Sequence, residues 1–90
     1  MAEPGIDLPL PADKWQQVMK SLDLPPQQIR IVELILRNNC DKQIAKALGV
    51  KVPTVRTYLH RIFARMNVAD RLELVLRVFA ISHQQGSPPG

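Results

Sequence analysis

The chain has 90 residues, 46% hydrophobic and 22% charged, which suits one folded domain and is too apolar for disorder. Its longest apolar run is four residues, 78–81, where a membrane span needs about 20, and the opening MAEPGIDLPLP lacks the basic-then-apolar order of a secretion signal. The formal charge of +4 is uneven: residues 42–69 carry six bases and no acid, a field that suits a polyanionic partner.

Residues 1–12 hold three prolines and little apolar periodicity, so they are expected to be a flexible leader. Trp15, Val18, Met19 and Leu22 recur at helical spacing and predict a short amphipathic helix over 13–22. Pro25 and Pro26 open a second, broadly apolar helix, where missing backbone donors do little harm. Asn38 and Asn39 are expected to end it, since asparagine tolerates the left-handed conformation. Cys40 follows them, and a thiol is a poor cap for the next helix, so Asn39 or Asp41 is expected to cap it instead.

A short third helix over 41–48 turns Ile44, Ala45 and Leu48 to one face, and Gly49 stands just past it as a left-handed terminator. A fourth helix is expected from Pro53 to about Met66, with Val52 held out of it by the following proline. Val55, Leu59, Ile62 and Met66 then share an arc of about 60°. Thr57, His60, Arg61 and Ala64 lie opposite, flanked by Arg56 and Arg65, on a face that reads as free of acids. Lys51 offers no side-chain acceptor at the start of this helix, so about 1 kcal/mol of capping is expected to be missing. Asp70 with Glu73 resembles a capping box and launches a last helix ending near His83, and residues 85–90 read as a disordered tail.

Helix, glycine turn, helix is the arrangement with a mechanical reading. Ala45 permits a close crossing, Gly49 reverses the chain, and Val55 anchors the second helix. A helix of this width fits the major groove of B-DNA, and Arg, Thr and His suit base edges and phosphates.

Three segments, DKQIAKALGV, TVRTYLHRIFARMNV and ADRLELV, occur in the order and spacing of the LuxR/FixJ (GerE-like, NarL-type) helix-turn-helix domain of bacterial transcription regulators. The sequence resembles that family over roughly residues 24–79. The resemblance implies an all-α, four-helix bundle, here over residues 23–84 with the 13–22 helix added in front. It implies a sequence-specific DNA-binding regulator that inserts the helix 53–66 into the major groove. Carried over by position, it puts Arg56, Thr57 and His60 at bases, and Lys42, Thr54, Tyr58, Arg61 and Arg65 at phosphates.

In the last helix, residues 72–81 are apolar around most of the wheel, leaving Glu73 and Arg77 as a narrow polar stripe. One apolar face packs inward. The other needs a cover: a second copy, the 13–22 helix, or a domain outside these residues. The family's fourth helix commonly forms the homodimer contact, which favours a homodimer on DNA through Leu72, Val75, Leu76 and Phe79.

The implied partners are double-stranded DNA, a second copy, and RNA polymerase working nearby. The two dozen residues ahead of the bundle are too few for a receiver or a ligand-binding domain, so either the domain stands alone or it is a fragment of a longer protein, such as a response regulator, whose sensor lies outside these residues. Cys40, with only His60 and His83 as further soft ligands, builds neither an internal disulfide nor a zinc cage, and the compartment is read as a reducing cytoplasm.

Neither a cofactor nor a small-molecule substrate is expected. Without a glycine-rich phosphate loop or a nucleophile beside a base, no residue is assigned to catalysis. Two other functions compete. LPPQQ and VPTVRTYLHR also resemble the promoter-recognition region of sigma factors, against which MNVADRLELV argues. Alternatively, the domain has lost DNA binding and serves as a protein interaction module through its last helix.

Overall fold

The computed structural model describes residues 5–86, with the side chains of residues 84–86 left aside. The described residues form five helices and no strand: α1 Ala12–Leu22, α2 Pro26–Leu36, α3 Asp41–Leu48, α4 Val52–Met66 and α5 Arg71–Gly86. None of these helices is long and apolar enough to cross a membrane.

Each connection has a local cause. Asp23, Asn38, Gly49 and Asn67 all take the left-handed conformation, the first two after α1 and α2, the last two at the ends of α3 and α4. These are the residue types for which that conformation costs least. A Cβ on Gly49 would meet nothing within 4 Å, so backbone angle and not crowding favours glycine there.

Only Asn38 closes α2 in the expected manner. Asn39 instead turns inward, where its backbone N–H and its Nδ2 both donate to the Leu34 carbonyl at 3.0 Å. Neither Asn39 nor Asp41 caps α3. The Cys40 thiol faces the backbone N–H of Gln43, whose side-chain Oε1 in turn accepts from the Cys40 N–H at 2.8 Å. That is a capping box with sulfur in place of oxygen.

Helix α4 starts at Val52, one residue earlier than expected. Proline at the second helical position needs no donor there, so its restriction on Val52 is overridden. The Lys51 cap makes no side-chain hydrogen bond, as its chemistry dictates. At α5, Asp70 Oδ1 accepts from the Glu73 N–H at 2.8 Å, while the Glu73 carboxylate accepts from the Ala69 N–H at 3.3 Å. The expected box is thus present, with its return arm shifted by one residue. The helix itself runs on past His83 to Gly86, leaving residues 87–90 of the expected tail outside the described part.

One core joins all five helices. Ile31, Val32, Leu34, Ile44, Val55, Ile62, Leu74 and Val78 are fully buried, and Trp15 and Val18 of α1 belong to the same cluster. Helix α1 packs chiefly on α5, and α3 chiefly on α4. The leader is attached where a loose segment was expected. The Ile6 N–H donates to the Arg37 carbonyl at 2.7 Å, and Leu8 and Leu10 pack against the core. Gly5, at φ 109°, passes so close to Arg37 and Asn39 that a Cβ would collide with the Arg37 carbonyl oxygen.

Candidate nucleic-acid interface

Helix α4 is two-sided. Val55, Leu59, Ile62 and Met66 are buried, each worth about 1.5–3 kcal/mol of apolar transfer. That inner stripe fixes the rotation of the helix, so Arg56, Thr57, His60, Arg61, Ala64 and Arg65 are all exposed. Of these, Arg56, Thr57, His60 and Arg61 form one continuous outer surface, with Arg65 on its flank. Lys42 is exposed on α3, the helix packed beside it. Thr54 and Tyr58 are half-buried, and the Tyr58 ring packs against the core.

The polar atoms of this surface are differently committed. The Thr57 hydroxyl donates to the Pro53 carbonyl at 3.2 Å, leaving its methyl group and lone pairs outward. Arg65 Nη2 donates to the Asp23 carbonyl at 3.1 Å, tying the last turn of α4 to the residue that ends α1. Arg65 also shares a cleft of about 150 Å³ with Ser21 and Arg77. Arg77 therefore lies beside other helices, and the Glu73 carboxylate faces Ala69 instead.

The expectation of an acid-free face fails at one point. Asp41, the first residue of α3, brings Oδ2 to 3.6 Å from Arg56 Nε. Its other oxygen, Oδ1, accepts from Arg71 Nη2, and Arg71 Nη1 donates to the Asn39 carbonyl at 2.9 Å. The three side chains border a shallow cleft of about 300 Å³ that His60, Phe63 and Asp70 also line. Asp41 lies one residue before the acid-free window and Arg71 two residues after it, so counting charges along the chain passes over both.

The Arg56–Asp41 contact is weak by position. Arg56 is 66% exposed, and a solvent-screened pair of this kind contributes at most about 0.2–1 kcal/mol. It orients the guanidinium without locking it.

On α5, Leu72 is 66%, Leu76 60% and Phe79 38% exposed, a row at i, i+4 and i+7. Val75 departs from the expected group: it is half-buried and packs against the core. Helix α1 covers part of α5 and leaves this row open.

The model of the luxR family of bacterial regulatory proteins matches residues 23–78. The chain is also 34% identical over 62 residues to the monoamine regulon transcriptional regulator of Klebsiella aerogenes, a match covering 69% of the chain and 27% of that relative. The chain thus spans about a quarter of the relative it resembles. No solved structure matches.

Proposed function

Because the chain belongs to the luxR family of bacterial regulatory proteins, we propose that it is a sequence-specific DNA-binding domain of a transcription regulator. Helix α4 enters the major groove with its outer surface against the bases. Arg56 donates to base edges, Thr57 offers a methyl group and an acceptor, and His60 completes the reading surface. Lys42, Thr54, Tyr58, Arg61 and Arg65 meet phosphates on either side and fix the register of the helix. The observation that carries this reading is the two-sidedness of α4: four apolar residues held in the core, and a row of exposed cationic and hydrogen-bonding side chains on the opposite surface.

In this proposal two copies bind adjacent half-sites, joined through the open row of Leu72, Leu76 and Phe79 with Val75 at its edge. Three large apolar side chains in one exposed line support an interface better than scattered surface leucines would. The relative from Klebsiella aerogenes is named a transcriptional regulator, which supports the same role here. Under this reading the chain works in the cytoplasm, near RNA polymerase, as the output part of a response-regulator type of protein.

Titrating the chain onto duplex DNA at several salt concentrations tests the reading. The three cationic phosphate contacts of each chain, Lys42, Arg61 and Arg65, release condensed counterions, so log affinity should fall against log salt with a slope of about −3 per chain. A flat response would instead favour a protein interaction module working through α5.

A further inference from the structure

We infer that Asp41 is a selectivity-determining positioning residue: it steers the Arg56 guanidinium so that both terminal nitrogens are free to read one guanine. The inference rests on the reading of α4 as the DNA-recognition helix and deepens it.

The geometry begins with which nitrogen is used. Asp41 approaches Arg56 at Nε, through Oδ2, at 3.6 Å. An arginine held from its Nε side keeps Nη1 and Nη2 pointing away as a two-pronged donor. That is the arrangement that matches the O6 and N7 acceptors of guanine in the major groove. An arginine gripped by its terminal nitrogens would have to give up that grip first.

Asp41 is itself held. Its Oδ1 accepts from Arg71 Nη2, and Arg71 is pinned through Nη1 to the Asn39 carbonyl at 2.9 Å. Asp41 also occupies the first turn of α3, where the positive end of the helix dipole favours a carboxylate. The carboxylate therefore has one oxygen anchored to the scaffold and one turned toward Arg56. A fixed carboxylate 3.6 Å away biases by its charge a long, flexible side chain that would otherwise swing to any nearby phosphate, and the same charge opposes close approach of a misplaced backbone.

Asp41 thereby exchanges general affinity for discrimination. Removing its charge should raise affinity for arbitrary duplex, because an anion beside the polyanion is gone, while weakening the preference for guanine at the position Arg56 reads.

The test uses the 90-residue chain and a pool of random-sequence duplexes. The wild-type chain, Asp41→Asn, Arg56→Ala and the double variant are each used to select from the pool. Each is then titrated onto the wild-type-selected duplex and its single guanine replacements. Retention of the cooperative thermal transition establishes that the variants fold.

The expected result is a guanine that the Arg56→Ala chain no longer requires. Discrimination at that base should fall about two- to fivefold in Asp41→Asn, with equal or tighter binding to unselected duplex. In the Arg56→Ala background, Asp41→Asn should change discrimination at that base no further, which a general structural role would not produce. An unaltered guanine preference in Asp41→Asn, or an equal loss with and without Arg56, overturns the role of Asp41 alone. No guanine dependent on Arg56 overturns the base-reading role of Arg56, and this inference with it. No duplex binding by the wild-type chain overturns the proposed function as a whole.

Discussion

Arg56 and Arg65 stand nine positions apart on one helix and are held by different means before any nucleic acid arrives. Arg56 faces the Asp41 carboxylate through Nε, whereas Arg65 donates through a terminal nitrogen to the Asp23 carbonyl. An arginine aimed at base edges carries sequence preference, and one at the flank carries charge. Arg56→Ala should therefore relax preference at one position of the selected site. Arg65→Ala should weaken all duplexes alike and flatten the salt slope by about one. Competition titrations with matched and scrambled duplexes measure both, and equal losses from the two variants on every sequence would contradict the division. At this scale, legibility follows distance along the chain. Gly49 and the Asp70–Glu73 pair could be read in advance because each acts within one turn of helix. Asp41 with Arg71, 30 residues apart, and Gly5 against Arg37 could not, because only the folded chain brings them together.

Among the elements, α5 combines two surfaces with different tasks. Leu74 and Val78 are fully buried in the bundle, while Leu72, Leu76 and Phe79 form the open row. Periodicity indicated that α5 is apolar on nearly every side, but it could not say which side α1 would take. The packing of Trp15 and Val18 into the shared core answers that, and it leaves Val75 half-buried between the fully buried Leu74 and the exposed Leu76. Leu76→Glu removes apolar surface only from the open row, so the thermal midpoint of the isolated chain should change little. If the row joins two copies, the variant should bind a two-half-site duplex with one chain where the wild type binds with two, as measured by sedimentation or light scattering. Two chains of the variant on that duplex, with undiminished affinity, would remove the row from the interface. Helix boundaries were legible to within a few residues, and the early start of α4 has a plain cause. Val52 tolerates the proline that follows because the first helical turn demands little of it, and α5 continues through Gly86.

For the molecule as a whole, α1 and the segment from Gly5 to Pro11 extend a bundle that the family match begins only at residue 23. The extension is continuous with the bundle core through Trp15, Val18, Leu8 and Leu10, and it reaches α4 through the Asp23 carbonyl and Arg65. The architecture was legible as an all-helical bundle with one added helix, because five apolar periodicities separated by Asx, Gly and Pro signals leave few other arrangements. Attachment of the leader was not, since three prolines and sparse apolar residues describe a loose segment equally well until Ile6 finds the Arg37 carbonyl. In the proposed function, the outer surface of α4 is what meets DNA. Following backbone and side-chain resonances of the isotopically labelled chain while adding a duplex selected from a random pool tests it most directly. The largest changes should fall on Thr54, Arg56, Thr57, His60, Arg61 and Arg65, with Lys42 following them. Changes concentrated elsewhere, with the outer surface of α4 silent at saturating duplex, would contradict it.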